Sequence, residues 1–339
     1  MRYICHALVL SVLATVTANA DDVGVIERRL SVQHHETGLE TTVLFPGIGG
    51  QAGTLGGNAV FFGTPVLKDA RPLPGRYPVV VMSHGWGGNA ARMAWLGAAL
   101  AEKGAIVVAV NHPGSTTFDV NFDTAFHHWT RAQDLSAALD WLLQDPEFAP
   151  FVDHGRIYAA GFSYGGWTAL SLAGVRGSRA GFFQYCEAAG AGSQFCAMLE
   201  RAGVDIRAID ETRYEGSYRD PRVQAVAAID PGLTWGLAKE DLSEASAKML
   251  LIALGEGADR LRATDTGPSG SGFEALVPEA VAITIAPATH FSVLGLCTPR
   301  GAAILVEEQD DPVCTDPPGT DRAQVLQQII EAIADHFGL

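Results

Sequence analysis

The stretch that most narrows what this chain can become is residues 156–174, RIYAAGFSYGGWTALSLAG. Ile157 to Ala160 is an apolar run of the length of a buried strand, and Trp167 to Ala173 reads as the start of a helix. Between them Gly161-Phe162-Ser163-Tyr164-Gly165 fits G-x-S-x-G, the strand–turn–helix context in which a serine hydroxyl is held clear of the sheet on a sharp turn. A turn that tight brings the flanking chain close to itself, so side chains at positions 161 and 165 would collide and glycine is the residue that fits. The same turn aims the first helical N–H groups at whatever sits on Ser163. The pattern alone is a weak signal, because Gly and Ser are common in loops. The chain must also supply a base, an acid and donors for a developing oxyanion.

From residue 78 onward, apolar strands alternate with helices. Residues 79–83, 105–110, 223–229, 249–254 and 281–285 read as strands beside the one that precedes Ser163. Residues 90–103, 130–143 and 324–337 read as helices, the second with Leu135, Leu139 and Leu142 on one face. Fully apolar strands separated by helices predict a mostly parallel, doubly wound α/β sheet covered on both faces. Residues 23–66 alternate β-favouring runs with Gly-rich turns and predict antiparallel edge strands, with residues 47–57 as a turn cluster. Residues 175–222 exceed what this core needs and carry Cys186, Cys196, Phe182, Phe183, Tyr185, Phe195 and Met198. Their position predicts a helical cap above the strand C-termini, where ligands bind in such sheets.

The first twenty residues read as a targeting segment rather than fold. Arg2 is followed by an apolar region over residues 7–18, and Ala18-Asn19-Ala20 is an A-x-A cleavage site. The expectation is a signal peptide over 1–20 and one domain over 21–339 that is secreted or periplasmic. No later stretch is apolar enough for a membrane-spanning helix, so no integral membrane association is expected. A formal net charge of −15 argues against nucleic acid and anionic membranes as partners. Four cysteines remain after cleavage, and in an oxidising compartment they predict two disulfides. Local placement favours Cys186–Cys196 and Cys297–Cys314. No C-x-x-C or H-x-x-x-H spacing marks a metal centre, and no metal or cofactor is expected.

The base is expected in the loop after the last strand, where Ile285-Ala-Pro-Ala-Thr-His290 places an imidazole able to take and return a proton near neutral pH. His34-His35 and His127-His128 are weaker candidates, since adjacent residues rarely converge on one point, and His154 lies at the bottom of the nucleophile strand. His84-Gly85-Trp86-Gly87-Gly88 follows the strand ending at Ser83 and is the expected oxyanion loop, with the amides of Trp86 and Tyr164 as donors. The acid is Asp230 or Asp259. Asp230 ends the strand 223–229, where the backbone is rigid, and is favoured; Asp259 follows the next strand beside Arg260, so an ion pair could occupy it.

With SHGWGG at 83–88, GFSYGG at 161–166, AAIDPG at 227–232 and ATHFSVLGLC at 288–297, the chain resembles the α/β-hydrolase superfamily. The likeness covers about residues 78–338. Within the superfamily it is similar to the exported, serine-containing relatives of dienelactone hydrolase and of platelet-activating-factor acetylhydrolase. The acetylhydrolase branch places its acid at the position of Asp230, whereas polyester hydrolases place it one strand later, at Asp259. Dienelactone hydrolases proper carry a cysteine where this chain has Ser163. The resemblance implies a cofactor-free serine hydrolase of small-molecule carboxylic esters, with Ser163, His290 and Asp230 as its triad. A cutinase-type polyester hydrolase, a serine peptidase and a non-catalytic binding protein on the same fold are the alternatives.

Overall fold

The computed structural model describes residues 23–339, so the signal peptide expected over 1–20 lies outside the described residues. The chain opens with β1 (Val23–Val32) and β2 (His35–Ile48), an antiparallel hairpin turning at Gln33 and His34. β3 (Gln51–Leu55) and β4 (Thr64–Lys68) pair antiparallel, and the short β5 (Arg71–Pro72) pairs with β2. The expected turn cluster at 47–57 therefore contains a strand. Gly53 sits within a ladder against β4, where an added Cβ would come nearest to the Lys68 side chain.

The core begins at β6 (Tyr77–Ser83) and continues through α1 (Ala94–Glu102), β7 (Ile106–Asn111) and α2 (His128–Gln144). A turn of 3-10 helix over Ala90–Met93, capped by the Asn89 side chain, begins the helix expected at 90–103. Next come β8 (Val152–Phe162) and α3 (Tyr164–Leu172), then α4 (Arg179–Ala189), α5 (Gln194–Arg201) and α6 (Glu211–Tyr214). β9 (Ala225–Ile229), β10 (Lys248–Leu254), α7 (Phe273–Leu276), β11 (Val281–Ile285), α8 (Gly301–Glu308) and α9 (Arg322–Phe337) complete the chain.

The strands form one mixed sheet in the order β11-β10-β9-β8-β6-β7-β2-β1-β4-β3. From β7 through β11 every pair is parallel, and the N-terminal hairpin adds antiparallel to β7. Alternation along the strands sorts side chains to two faces. Val79, Val81 and Val108 join Leu135, Leu139 and Trp167 of α2 and α3, while Val80, Met82 and Val107 join Leu96, Leu100, Ile329 and Ile333 of α1 and α9. Both faces are covered, which is why the central strands carry continuous apolar sequence. β7 and β8 lie on opposite sides of β6, so the chain reverses its winding direction there. The crevice at the C-terminal ends of β6 and β8 is where open α/β sheets bind ligands.

Candidate active site

Strand register assembles the site. Ser83 pairs with Gly161 and Phe162 with Ile229, so the residues just past these strand ends, among them Gly85, Ser163 and Asp230, come level at one edge. Ser163 turns the chain from β8 into α3 at φ 57° and ψ −115°, a conformation that costs a non-glycine residue of order 1–3 kcal/mol. The surroundings enforce it: the Ser163 N–H donates to Ile229 O at 2.8 Å, and Ser163 O accepts from Gly232 N–H at 3.2 Å. A Cβ at Gly161 would overlap the Gly165 carbonyl, and one at Gly165 would overlap the Ser83 carbonyl. Both glycines are thus required by close backbone approach rather than by loop flexibility.

His290 lies in the loop after β11, with its ring packed on Phe162 at a centroid distance of 4.6 Å. Its Nε2 is 3.1 Å from Ser163 Oγ, and its Nδ1 is 2.7 Å from Asp230 Oδ2. Asp230 is fully buried, and its backbone N–H donates to Ile252 O at 2.7 Å. Its second oxygen, Oδ1, accepts from Leu254 N–H at 2.9 Å and from Arg260 Nη1 at 2.7 Å. Asp259 is exposed and outside this cluster. Arg260, which could have occupied Asp259 in an ion pair, instead folds its guanidinium back across the loop onto Asp230 and, more distantly, onto Asp265. Arg260 is a site residue that sequence reading missed, because its partner lies thirty residues away. Its only signal is an arginine directly after a candidate acid.

The loop after β6 turns through Gly85 to Gly88. Gly87 N–H donates to Ser115 O and Gly88 N–H to Gly85 O, while the Trp86 amide has no acceptor among the described residues. Tyr164 is the first residue of α3, so its amide belongs to the helix turn whose N–H groups have no intrahelical acceptor. The Trp86 ring stacks on Phe126 at 4.7 Å. The Tyr164 side chain is buried, with its hydroxyl donating to Ala125 O at 3.0 Å.

A polar network backs this loop. Arg131, fully buried on α2, lies over the Tyr164 ring at 4.4 Å and donates to Ser115 Oγ at 2.6 Å, Thr168 Oγ1, Ser83 Oγ and the His84 carbonyl. Burial lowers its pKa to about 10. His112 Nε2 meets Ser83 Oγ at 2.8 Å, and its Nδ1 meets Asp134 Oδ2 at 2.8 Å. The His112 backbone N–H donates to His84 Nε2 at 3.1 Å. Burial, reinforced by the Arg131 charge, pushes His112 down to about 4, and burial likewise holds His84 well below its usual value, so both rings are neutral props. Asp134 Oδ1 takes Nε2 of both His34 and His35, at 2.6 and 2.8 Å. The expectation that adjacent histidines do not converge is therefore corrected, because the hairpin tip folds both rings onto one oxygen. The sequence signal was a charged pair, Arg131 and Asp134, on the apolar face of α2.

Helices α4 to α6 lie over the same loops. Phe195 sits 6.2 Å from Trp86 and 5.6 Å from Phe126, centroid to centroid, and Tyr185 stacks at 4.4 Å on Trp235 in the loop after β9. The Cys186–Cys196 disulfide joins α4 to α5, and Cys297–Cys314 closes the segment containing α8.

A family model described as the prolyl oligopeptidase family matches residues 91–210, less than half of the chain but including Ser163. Cutinase 2 of Thermobifida cellulosilytica and cutinase cut1 of Thermobifida fusca are each 34% identical over 102 residues, 30% of this chain and 36% and 29% of theirs. The chain thus spans about a third of the length of these curated relatives. Among solved structures, a ferulic acid esterase from Streptomyces cinnamoneus aligns with a TM-score of 0.58 and 17% identity over 95% of this chain and 91% of that one. A putative dienelactone hydrolase from Klebsiella pneumoniae subsp. pneumoniae aligns with a TM-score of 0.52 and 12% identity over 93% and 98%. At such identities the likeness is one of fold. The chain has the α/β-hydrolase fold, a mixed sheet whose parallel core is flanked by helices on both faces.

Proposed function

We propose that this chain is an exported serine carboxylic-ester hydrolase acting on short- to medium-chain esters of small molecules. The observation that carries the proposal is the continuous relay Ser163 Oγ–His290 Nε2, His290 Nδ1–Asp230 Oδ2, at 3.1 and 2.7 Å, at the C-terminal ends of parallel strands. Ser163 Oγ attacks the acyl carbonyl as His290 Nε2 takes its proton, and Asp230 stabilises the imidazolium and fixes the tautomer. The amides of Trp86 and Tyr164 receive the oxyanion. The imidazolium then protonates the leaving alcohol, and water activated by the same base releases the acid. Arg260 holds the far oxygen of Asp230 and acts through it as a positioning residue.

Residues 175–222 act as a cap, with Phe195 against Trp86 bounding an acyl pocket. A cap of that kind disfavours a polymer substrate, which weighs against the cutinase-type reading that the 34% identity favours. The partial match to the prolyl oligopeptidase family favours a peptidase reading, since the same relay cleaves amides. The two disulfides support export, as such bonds persist in oxidising compartments.

The test is a p-nitrophenyl ester series from acetate to palmitate, run beside p-nitroanilides on purified mature chain. The proposal predicts ester cleavage that falls off toward palmitate, with the anilides untouched. Faster anilide cleavage favours the peptidase, and no cleavage at all favours a binding protein.

A further inference from the structure

The hairpin tip and α2 carry a second cluster that the ester chemistry does not use. One potential ligand atom from each of His34, His35 and Asp134 lies within 4.8 Å of the others, and both Nε2 atoms are within 2.8 Å of Asp134 Oδ1. Two imidazole nitrogens and one carboxylate oxygen are the donor set of zinc sites in which three protein ligands leave a position open. We propose that His34, His35 and Asp134 form a binding site for a divalent transition metal, with Zn2+ as the fitting ion.

Three features of the structure support the assignment. First, the carboxylate is oriented before any ion arrives: Asp134 is fully buried, and its other oxygen is bonded to His112 Nδ1 at 2.8 Å. An outer partner of that kind is what fixes metal-ligating carboxylates. Second, both Nε2 atoms converge on Asp134 Oδ1, at 2.6 and 2.8 Å, with the two rings tilted by 51° rather than stacked. Third, the site has an entry path. A cavity of about 780 Å³ is lined by His34, His35 and Asp119, while the two imidazoles keep 26% and 13% of their side-chain surface exposed. Ion–ligand distances of ~2.0–2.2 Å need nitrogen–oxygen separations of about 3.3 Å, wider than the 2.6 and 2.8 Å seen here. Asp134 is held by His112, so binding requires the two imidazoles, which line the cavity, to move outward by that difference. Oxygen-only ions such as Ca2+ do not suit two imidazoles.

The site ties the β1–β2 turn to α2 and, through Asp134, His112 and Ser83, to the strand end that launches the oxyanion loop. Binding should therefore stabilise the fold, since an ion bound only by the folded state raises its stability by mass action.

The experiment titrates Zn2+ into chelator-treated mature chain by calorimetry, with Co2+ absorption as a second readout. Wild type, His34→Ala, His35→Ala and the double variant are compared, and each is first checked for cooperative unfolding in EDTA. The expected result is one saturable site per chain, tetrahedral-type Co2+ bands, a higher Tm with Zn2+, and an affinity at least about tenfold weaker in each single variant. A wild-type titration without a saturable one-to-one phase overturns the proposal. Affinity that falls less than about tenfold in both single variants overturns it as well, since the ion then sits elsewhere.

Discussion

Replacing Asp230 by Asn tests the relay at its most constrained point. Asp230 Oδ1 faces two donors, Leu254 N–H at 2.9 Å and Arg260 Nη1 at 2.7 Å, while Oδ2 faces the single donor His290 Nδ1. An asparagine amide must choose between these sides. With its NH2 toward Leu254 and Arg260, donor meets donor twice, one of them charged, and about 2–4 kcal/mol of hydrogen bonding is lost. With its NH2 toward His290 only one contact is at stake, and the ring restores it by moving its proton to Nε2. The second arrangement wins. His290 then presents N–H, not a lone pair, to Ser163 Oγ and cannot take its proton. The expected loss is about 10⁴-fold in kcat, or roughly 5.5 kcal/mol of barrier, with KM little changed. The assay is p-nitrophenyl butyrate hydrolysis by wild type, Asp230→Asn and Asp259→Asn, with Tm recorded to exclude unfolding. Activity of Asp230→Asn within tenfold of wild type, or a comparable loss in Asp259→Asn, refutes the reasoning.

Two further predictions concern stability around the His290 loop. Asp316 is shifted below the usual carboxylate range: burial alone would raise it, but hydrogen bonds from Arg322 and Ser292 outweigh that cost. A depressed folded-state pKa stabilises above the unfolded value and is lost as pH falls through the folded one. Asp316→Asn should therefore cost about 1–3 kcal/mol at pH 7, and the gap from wild type should close on acidification below the ordinary carboxylate range, as read by urea unfolding at stepped pH. Removing the Cys297–Cys314 bridge, with its sequence separation of 17, should cost about 3 kcal/mol on the chain-entropy estimate, measured as a shift in the denaturation midpoint of the Cys297→Ala/Cys314→Ala double variant.

The parts legible in sequence were those carried by local pattern. The elbow at Ser163 is written in adjacent glycines whose absent side chains leave room for the Ser83 and Gly165 carbonyls. Asp230 stands directly beyond one apolar strand and His290 in the loop after another, and parallel register brings the ends of such strands to one edge of the sheet. The disulfide pairings followed from proximity along the chain. What was not legible depends on distant folding back. Arg260 appeared to belong to its neighbour Asp259, yet a single loop reversal gives it to Asp230. His34 and His35 sit in a polar turn with no periodic signal, and their shared partner lies about a hundred residues on. Strand β3 was hidden because Gly53 and its neighbours read as turn residues, while the ladder to β4 that orders them is invisible locally.

The central claim, that Ser163 is the nucleophile of a covalent acyl transfer, is tested most directly by intact-mass and peptide-mapping spectrometry after treatment with a fluorophosphonate. The account predicts one adduct per chain, located on Ser163, absent from Ser163→Ala and strongly slowed in Asp230→Asn. An adduct on another residue, or none on a folded wild-type chain, contradicts it.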